Sequence, residues 1–158
     1  MTYPDLRFPD TPPWAAWAVN IACERAEVRL DKWAVPLEAI GRYESNWGNA
    51  ANLCKPPEEN WPLASFQLAR GMFRAALKQG LIKGDFRIAD PEQSAYVAIC
   101  YIAGRLDGYG GYSGIGTVDG KVGLLARPDR GPGNVLRAWI ADPDGFNVET
   151  ARELYRGY

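Results

Sequence analysis

The chain has 158 residues, 47% of them hydrophobic and 23% charged, with 18 basic and 19 acidic side chains for a formal net charge of −1. That suits one soluble domain with a real core, and the near balance of charge provides no clustered basic face for a nucleic acid or an anionic membrane. Histidine is absent, which excludes Ser-His-Asp and Cys-His nucleophilic sites, His-ligated zinc centres and imidazole bases, so proton transfer falls to carboxylates, Lys or Tyr.

Residues 1–13 hold four prolines and little periodicity, so an extended arm is expected there, followed by one domain over 14–158. The arm is acidic and Pro-rich where a secretory signal is basic and then apolar, and no apolar run approaches the ~18 residues of a spanning helix. The expectation is a chain made in the cytoplasm without membrane insertion. Cys23, Cys54 and Cys100 are an odd number at irregular spacings, which predicts buried reduced thiols in place of a disulfide framework or zinc site.

The first helix is predicted to start where Asp10 or Thr11 caps it, with Pro12 and Pro13 in the first turn. Trp14, Trp17, Ala18, Ile21, Ala22 and Val28 recur at helical spacing against Glu24, Arg25, Glu27, Arg29 and Asp31, predicting a core-facing helix that ends near Lys32 to Ala34. Trp14 and Trp17 read as core on this pattern, with a sugar platform as the alternative. A short second helix is predicted to start at Pro36, with Leu37, Ile40 and Tyr43 inward and Glu44 near its C-terminal end.

A glutamate at that end opposes the helix dipole. Held against apolar neighbours, such an acid has its proton affinity raised, as a general acid near neutral pH requires. The plain alternative is a solvated glutamate that terminates a helix.

The following loop, SNWGNAANLCKPPEENW, is rich in amides and aromatics. Asn46, Asn49 and Asn52 are turn formers, while amides beside Trp47 and Trp61 also suit a polysaccharide groove. Helical pattern is expected to resume at about Ala64, placing Gln67 in the first turn, Leu68, Met72, Ala76 and Leu77 inward, and Gly80 as the C-cap. Asp90 as N-cap and Pro91 at N1 predict a further helix through Leu106, with Ala95, Ile99, Ile102 and Leu106 buried and Gly108 as its stop. Residues 108–123 carry too many glycines for a helix and permit at most a small hairpin around Asp119-Gly120, either a groove wall presenting Tyr109 and Tyr112 or a connecting loop. A last helix is expected from Asn147 to Tyr155, with Val148, Ala151 and Leu154 inward.

Three stretches together resemble the soluble Slt-type lytic transglycosylases, a lysozyme-like family. PLEAIGRYESNW is similar to the family's apolar helix ending in Glu-Ser. Ala64-Ser65-Phe66-Gln67 stands where the family has Gly-Leu-Met-Gln, and the helix beginning Asp90-Pro91 with Tyr101 near its end resembles the family helix that follows. LLARPDRGPGNV resembles the third motif, Ala-Tyr-Asn-Ala-Gly followed by Pro-Gly-x-Val, but carries Pro128 and Asp129 in place of Tyr and Asn. The resemblance spans residues 14–141 and is an argument by analogy.

It implies a mainly α, lysozyme-like (goose-type/transglycosylase) domain with a Gly-rich loop or small hairpin. It implies cleavage of the β-1,4 bond between MurNAc and GlcNAc in peptidoglycan, with Glu44 as the single acid and base and no metal or cofactor. Ser45 and Gln67 orient Glu44 and substrate in this reading, while Phe66, Tyr101, Asp129, Tyr109 and Trp47 line the groove. Two alternatives accompany it: a muramidase in which Asp129, Glu58 or Glu59 activates water, and a domain that binds glycan without cutting it, to which the change at Pro128 points. A cell-wall-degrading domain with this N-terminus suits a bacteriophage endolysin or virion-associated enzyme, with peptidoglycan as partner and other virion or tail proteins as further partners.

Overall fold

A computed structural model of the chain describes residue 8 and residues 11–45, 62–63, 68–83, 91–108, 115–117, 121–122, 135, 138–139, 141–142 and 144–154, with the backbone alone at 43–45, 62–63, 68–70, 115–117 and 121–122. These residues are mainly helical: α1 (Pro13–Ala26), α2 (Leu30–Ser45), α3 (Arg70–Lys78), α4 (Pro91–Ile102) and α5 (Val148–Leu154). Val135, Ala138, Trp139 and Ala141 are helical as well. Two short antiparallel pairs complete the order, β1 (Pro62–Leu63) with β2 (Leu68–Ala69), and β3 (Ile115–Thr117) with β4 (Lys121–Val122). The second pair brackets Asp119-Gly120, where the glycine-rich stretch permits at most a small hairpin.

The first helix starts as a proline-led helix should, with Pro13 at N1, but its N-cap is Pro12 and no side-chain cap bond forms. Asp10 or Thr11 was the expected cap; the Thr11 hydroxyl is instead buried without a hydrogen bond. The helix also ends earlier than its pattern predicts. Glu27 adopts φ 56, ψ 43, in the left-handed region, and the Val28 N–H donates to the Cys23 carbonyl at 3.0 Å, closing a Schellman-type end.

Two expectations about this half of the molecule are corrected. Pro36 does not open a helix but lies inside α2, where it forfeits one backbone hydrogen bond. The loss is tolerated because α2 is buried at every position from Trp33 to Gly41, so packing outweighs the local penalty. Trp14 and Trp17 are not core: they are 47% and 62% exposed. The buried face of α1 is Ala15, Ala18, Val19, Ala22, Cys23 and Ala26, small residues that let α1 approach α4, whose buried positions include the small Ser94, Ala95 and Ala98. Close approach of two backbones excludes indoles from the seam.

Polar groups clasp the α1–α4 seam. The Arg25 guanidinium lies 4.0 Å over the Tyr96 ring, a cation–π contact, and donates to Gln93 Oε1 at 3.2 Å and to the Leu81 carbonyl at 2.8 Å. Arg105 Nη1 donates to the Ala26 carbonyl at 2.6 Å. Cys23 and Cys100 are both buried free thiols; Cys54 lies outside the described residues. Burial is the largest cause raising both the Cys100 thiol and the Tyr96 phenol, and the Tyr96 hydroxyl also hydrogen-bonds Cys100.

The last helix packs on α2, and α3 packs on α4. Trp33 of α2 packs edge-on against Trp139, with ring centroids 4.7 Å apart at 75°, and Lys32 pairs with Asp144. In α3, which begins at Arg70 and not Ala64, Phe73 and Ala76 are buried, and Gly80 at φ 75 follows as the expected C-cap. The Leu81 N–H then donates to the Ala76 carbonyl at 2.9 Å. The fourth helix stops at Ile102, earlier than expected, where Gly104 turns the chain at φ 71; Leu106 remains in the core beyond it. Asn147 Oδ1 caps α5 by accepting from the Thr150 N–H at 2.9 Å, with Ala151 buried and Val148 and Leu154 packed on the core, as its stripe predicts.

Candidate functional site

The candidate acid stands at the end of a helix whose middle is buried. Ser45 is the last residue of α2 and Glu44 the one before it, so the backbone of the Glu-Ser pair is delivered by a helix whose preceding turns are sealed in the core. That agrees with the expected position at a helix C-terminus, where unsatisfied carbonyls concentrate negative potential. The side chains of Glu44 and Ser45 lie outside the described residues.

Arg42, the basic residue in the last turn of α2, is favourably placed for the dipole. Its guanidinium sits 5.4 Å from the centroid of the Phe8 ring, and Arg152 of α5 approaches the same ring at 5.8 Å. Phe8 is 3% exposed, so the segment before α1 is pinned beside the helix end that carries Glu44. The Thr11 N–H donates to the Phe8 carbonyl at 3.2 Å. The beginning of α1 therefore lies near the Glu44 end of α2.

One carboxylate escapes a reading by pattern. Glu38, within the apolar sequence of α2, is fully buried. An ionised carboxylate in such a place is costly unless its charge and hydrogen bonds are met. It stands four residues before Arg42, the spacing that makes neighbours on a helix surface. No local signal in the sequence separates Glu38 from an ordinary surface glutamate.

Of the other expected site residues, Tyr101 occupies the last turn of α4, half-buried and packed against the hydrophobic core. Trp47, Phe66, Gln67, Tyr109, Asp129 and the neighbouring Pro128 lie outside the described residues, as do Glu58, Glu59 and Tyr112. The helix start at Arg70 does remove Gln67 from the first turn of α3, since β2 intervenes at Leu68–Ala69. Among the described residues no group of three or more Cys, Asp or Glu is arranged to hold a metal ion, and no helix is long and apolar enough to cross a membrane. No protein-family model matches the chain, and no curated protein or solved structure matches it.

Proposed function

We propose that the chain is a lysozyme-like lytic transglycosylase that cuts the β-1,4 bond between MurNAc and GlcNAc in peptidoglycan, with Glu44 as its general acid and base. The observation that carries this reading is the placement of Glu44-Ser45 in the last turn of a core-buried helix, at the point where the motif likeness puts the catalytic acid. The helix order that follows, with Pro91 at the start of α4 and a short antiparallel pair in the glycine-rich stretch, supports it.

The chemistry needs one proton carrier. Glu44 gives its proton to the bridging oxygen as the bond from that oxygen to the muramoyl C1 breaks, and the substrate's N-acetyl oxygen stabilises the cationic centre. The muramoyl C6 hydroxyl then attacks C1, its proton passes to Glu44, and a 1,6-anhydro product leaves with the carboxyl again protonated. Water takes no part, which distinguishes this route from two-carboxylate hydrolysis. A bacteriophage endolysin or virion-associated enzyme is the setting we propose.

Purified cell walls treated with the protein should lose turbidity and release muropeptides whose mass shows anhydro ends. Glu44→Gln should lower that activity by at least about 10³-fold, within the range typical for removing an acid–base group and its electrostatics; full activity in this variant sinks the assignment. Reducing ends in place of anhydro ends select the muramidase. Binding without release selects a non-cutting glycan-binding domain, the reading favoured by Pro128 at the family's Tyr position.

A further inference from the structure

We infer that Trp14 and Trp17 form an accessory sugar-stacking platform, outside the catalytic position, that holds the glycan strand of the wall polymer. The inference rests on the peptidoglycan reading and extends it to a second site. Trp14 and Trp17 are the two strongly exposed large hydrophobic side chains among the described residues, at 47% and 62%. At about 100° per residue they leave α1 within about 60° of each other and of Ile21, one turn apart, and about 140° from the centre of the buried alanine face.

The size of the patch selects its occupant. With ~250 Å² for a whole indole side chain, the two exposures amount to on the order of 270 Å². A stable dimer needs ~800 Å² from each partner, so a second copy is poorly served by this face. A patch of a few hundred Å² suits a small flat ligand. The face does not continue as an apolar stripe either: Ile21 is half-buried and the exposed Glu24 follows it, which opposes an anionic lipid surface.

A pyranose ring answers this description. Its axial C–H groups make one flat apolar face for an indole, while its rim of hydroxyls stays in water or meets an acceptor such as Glu24. Two rigid indoles a helical turn apart offer consecutive platforms at little conformational cost. Position supports the same ligand. Phe8 ties the start of α1 to Arg42 in the last turn of α2, so the indoles stand at the end of the helix pair that carries Glu44. A polymer threaded past Glu44 has rings to spare for α1, whereas a single cleaved disaccharide does not.

The test separates this inference from the reading beneath it by measuring binding in a Glu44→Gln background, where cutting is not required. Co-sedimentation with purified sacculi, and with glycan strands stripped of their peptides by an amidase, should show Trp14→Ala/Trp17→Ala weakening binding about tenfold or more, with thermal melts checking that the fold is kept. Trp14→Phe/Trp17→Phe should recover part of the loss, because a smaller aromatic face remains. Lys83→Ala, exposed beyond α3, serves as the neutral control. Unchanged binding by the double alanine variant overturns the platform, and so does loss on intact sacculi alone, which assigns the indoles to peptide stems. Unchanged sacculus binding with a shift in sedimentation mass overturns it in favour of a second copy. Cleavage by the wild type is scored separately: a protein that cuts walls while its double variant binds normally refutes the platform alone.

Discussion

Replacing Pro36 with alanine sets the two descriptions of the second helix against each other. With Pro36 inside α2, the substitution restores a backbone donor and removes a ring from the helix interior, worth ~3 kcal/mol on helix-propensity scales. Pro36 is also buried, and alanine lacks two of its ring carbons, so about 1.6 kcal/mol of burial is lost at ~0.8 kcal/mol per methylene. The balance is a stabilisation of about 1.4 kcal/mol. For a chain of 158 residues that is a rise in Tm of roughly 3–6 °C, to be read by calorimetry and by urea unfolding with an unchanged slope. Were Pro36 the first residue of a helix, as its local sequence suggests, alanine would remove a favoured N1 residue as well as buried carbons, and the urea midpoint would fall. A decrease of more than about 1 kcal/mol refutes the interior placement.

Other outcomes follow from the same structure. Gly80→Ala places a side chain at φ 75 and should cost about 1 kcal/mol in urea unfolding through left-handed strain, since open space surrounds the new Cβ. Phe8→Ala empties a buried site between two guanidiniums and should cost about 3 kcal/mol, the lower end for a buried phenylalanine; thermal melting measures it. Alkaline stability depends on Cys100 and Tyr96, which burial holds protonated above their ordinary ranges. Below about pH 9 folded and unfolded chains both keep these protons, while above it the unfolded chain sheds protons that the folded one retains, so stability falls as pH rises. Urea midpoints from pH 7 to 11 should show that decline, and Cys100→Ala should remove the part of it that begins at the lower pH.

Elements whose ends are written in side-chain chemistry were legible in advance. Asn147 names the start of α5, Gly80 the end of α3, Pro91 the start of α4, and the glycines around Asp119 admit a hairpin and little else. The errors came where tertiary packing outweighs local preference. The first helix carries two apolar faces, and periodicity weights the large indoles, but alanines allow the closer approach to α4 and win the interior. Pro36 reads as a beginning because nothing local reveals that the surrounding turns will be buried on all sides. Glu38 is invisible for the same reason, since a lone glutamate at helical spacing looks like a surface residue until its neighbours are known. For the candidate site, the position of Glu44-Ser45 at the end of a helix was readable from the apolar run before it. The connection between that helix and α3 was not: an Asn-rich, Pro-containing stretch has no period, and the short β1–β2 pair after it displaces the helix start from Ala64 to Arg70.

The ring of Phe8 has a topological consequence. It touches Arg42 from the second helix and Arg152 from the last, so the entry and exit of the fold converge on one side chain. Chains arranged in this way are natural candidates for circular permutation. A linker joining the chain beyond α5 to the chain ahead of Phe8, with new termini opened at the exposed turn around Gly80, would keep every described helix intact.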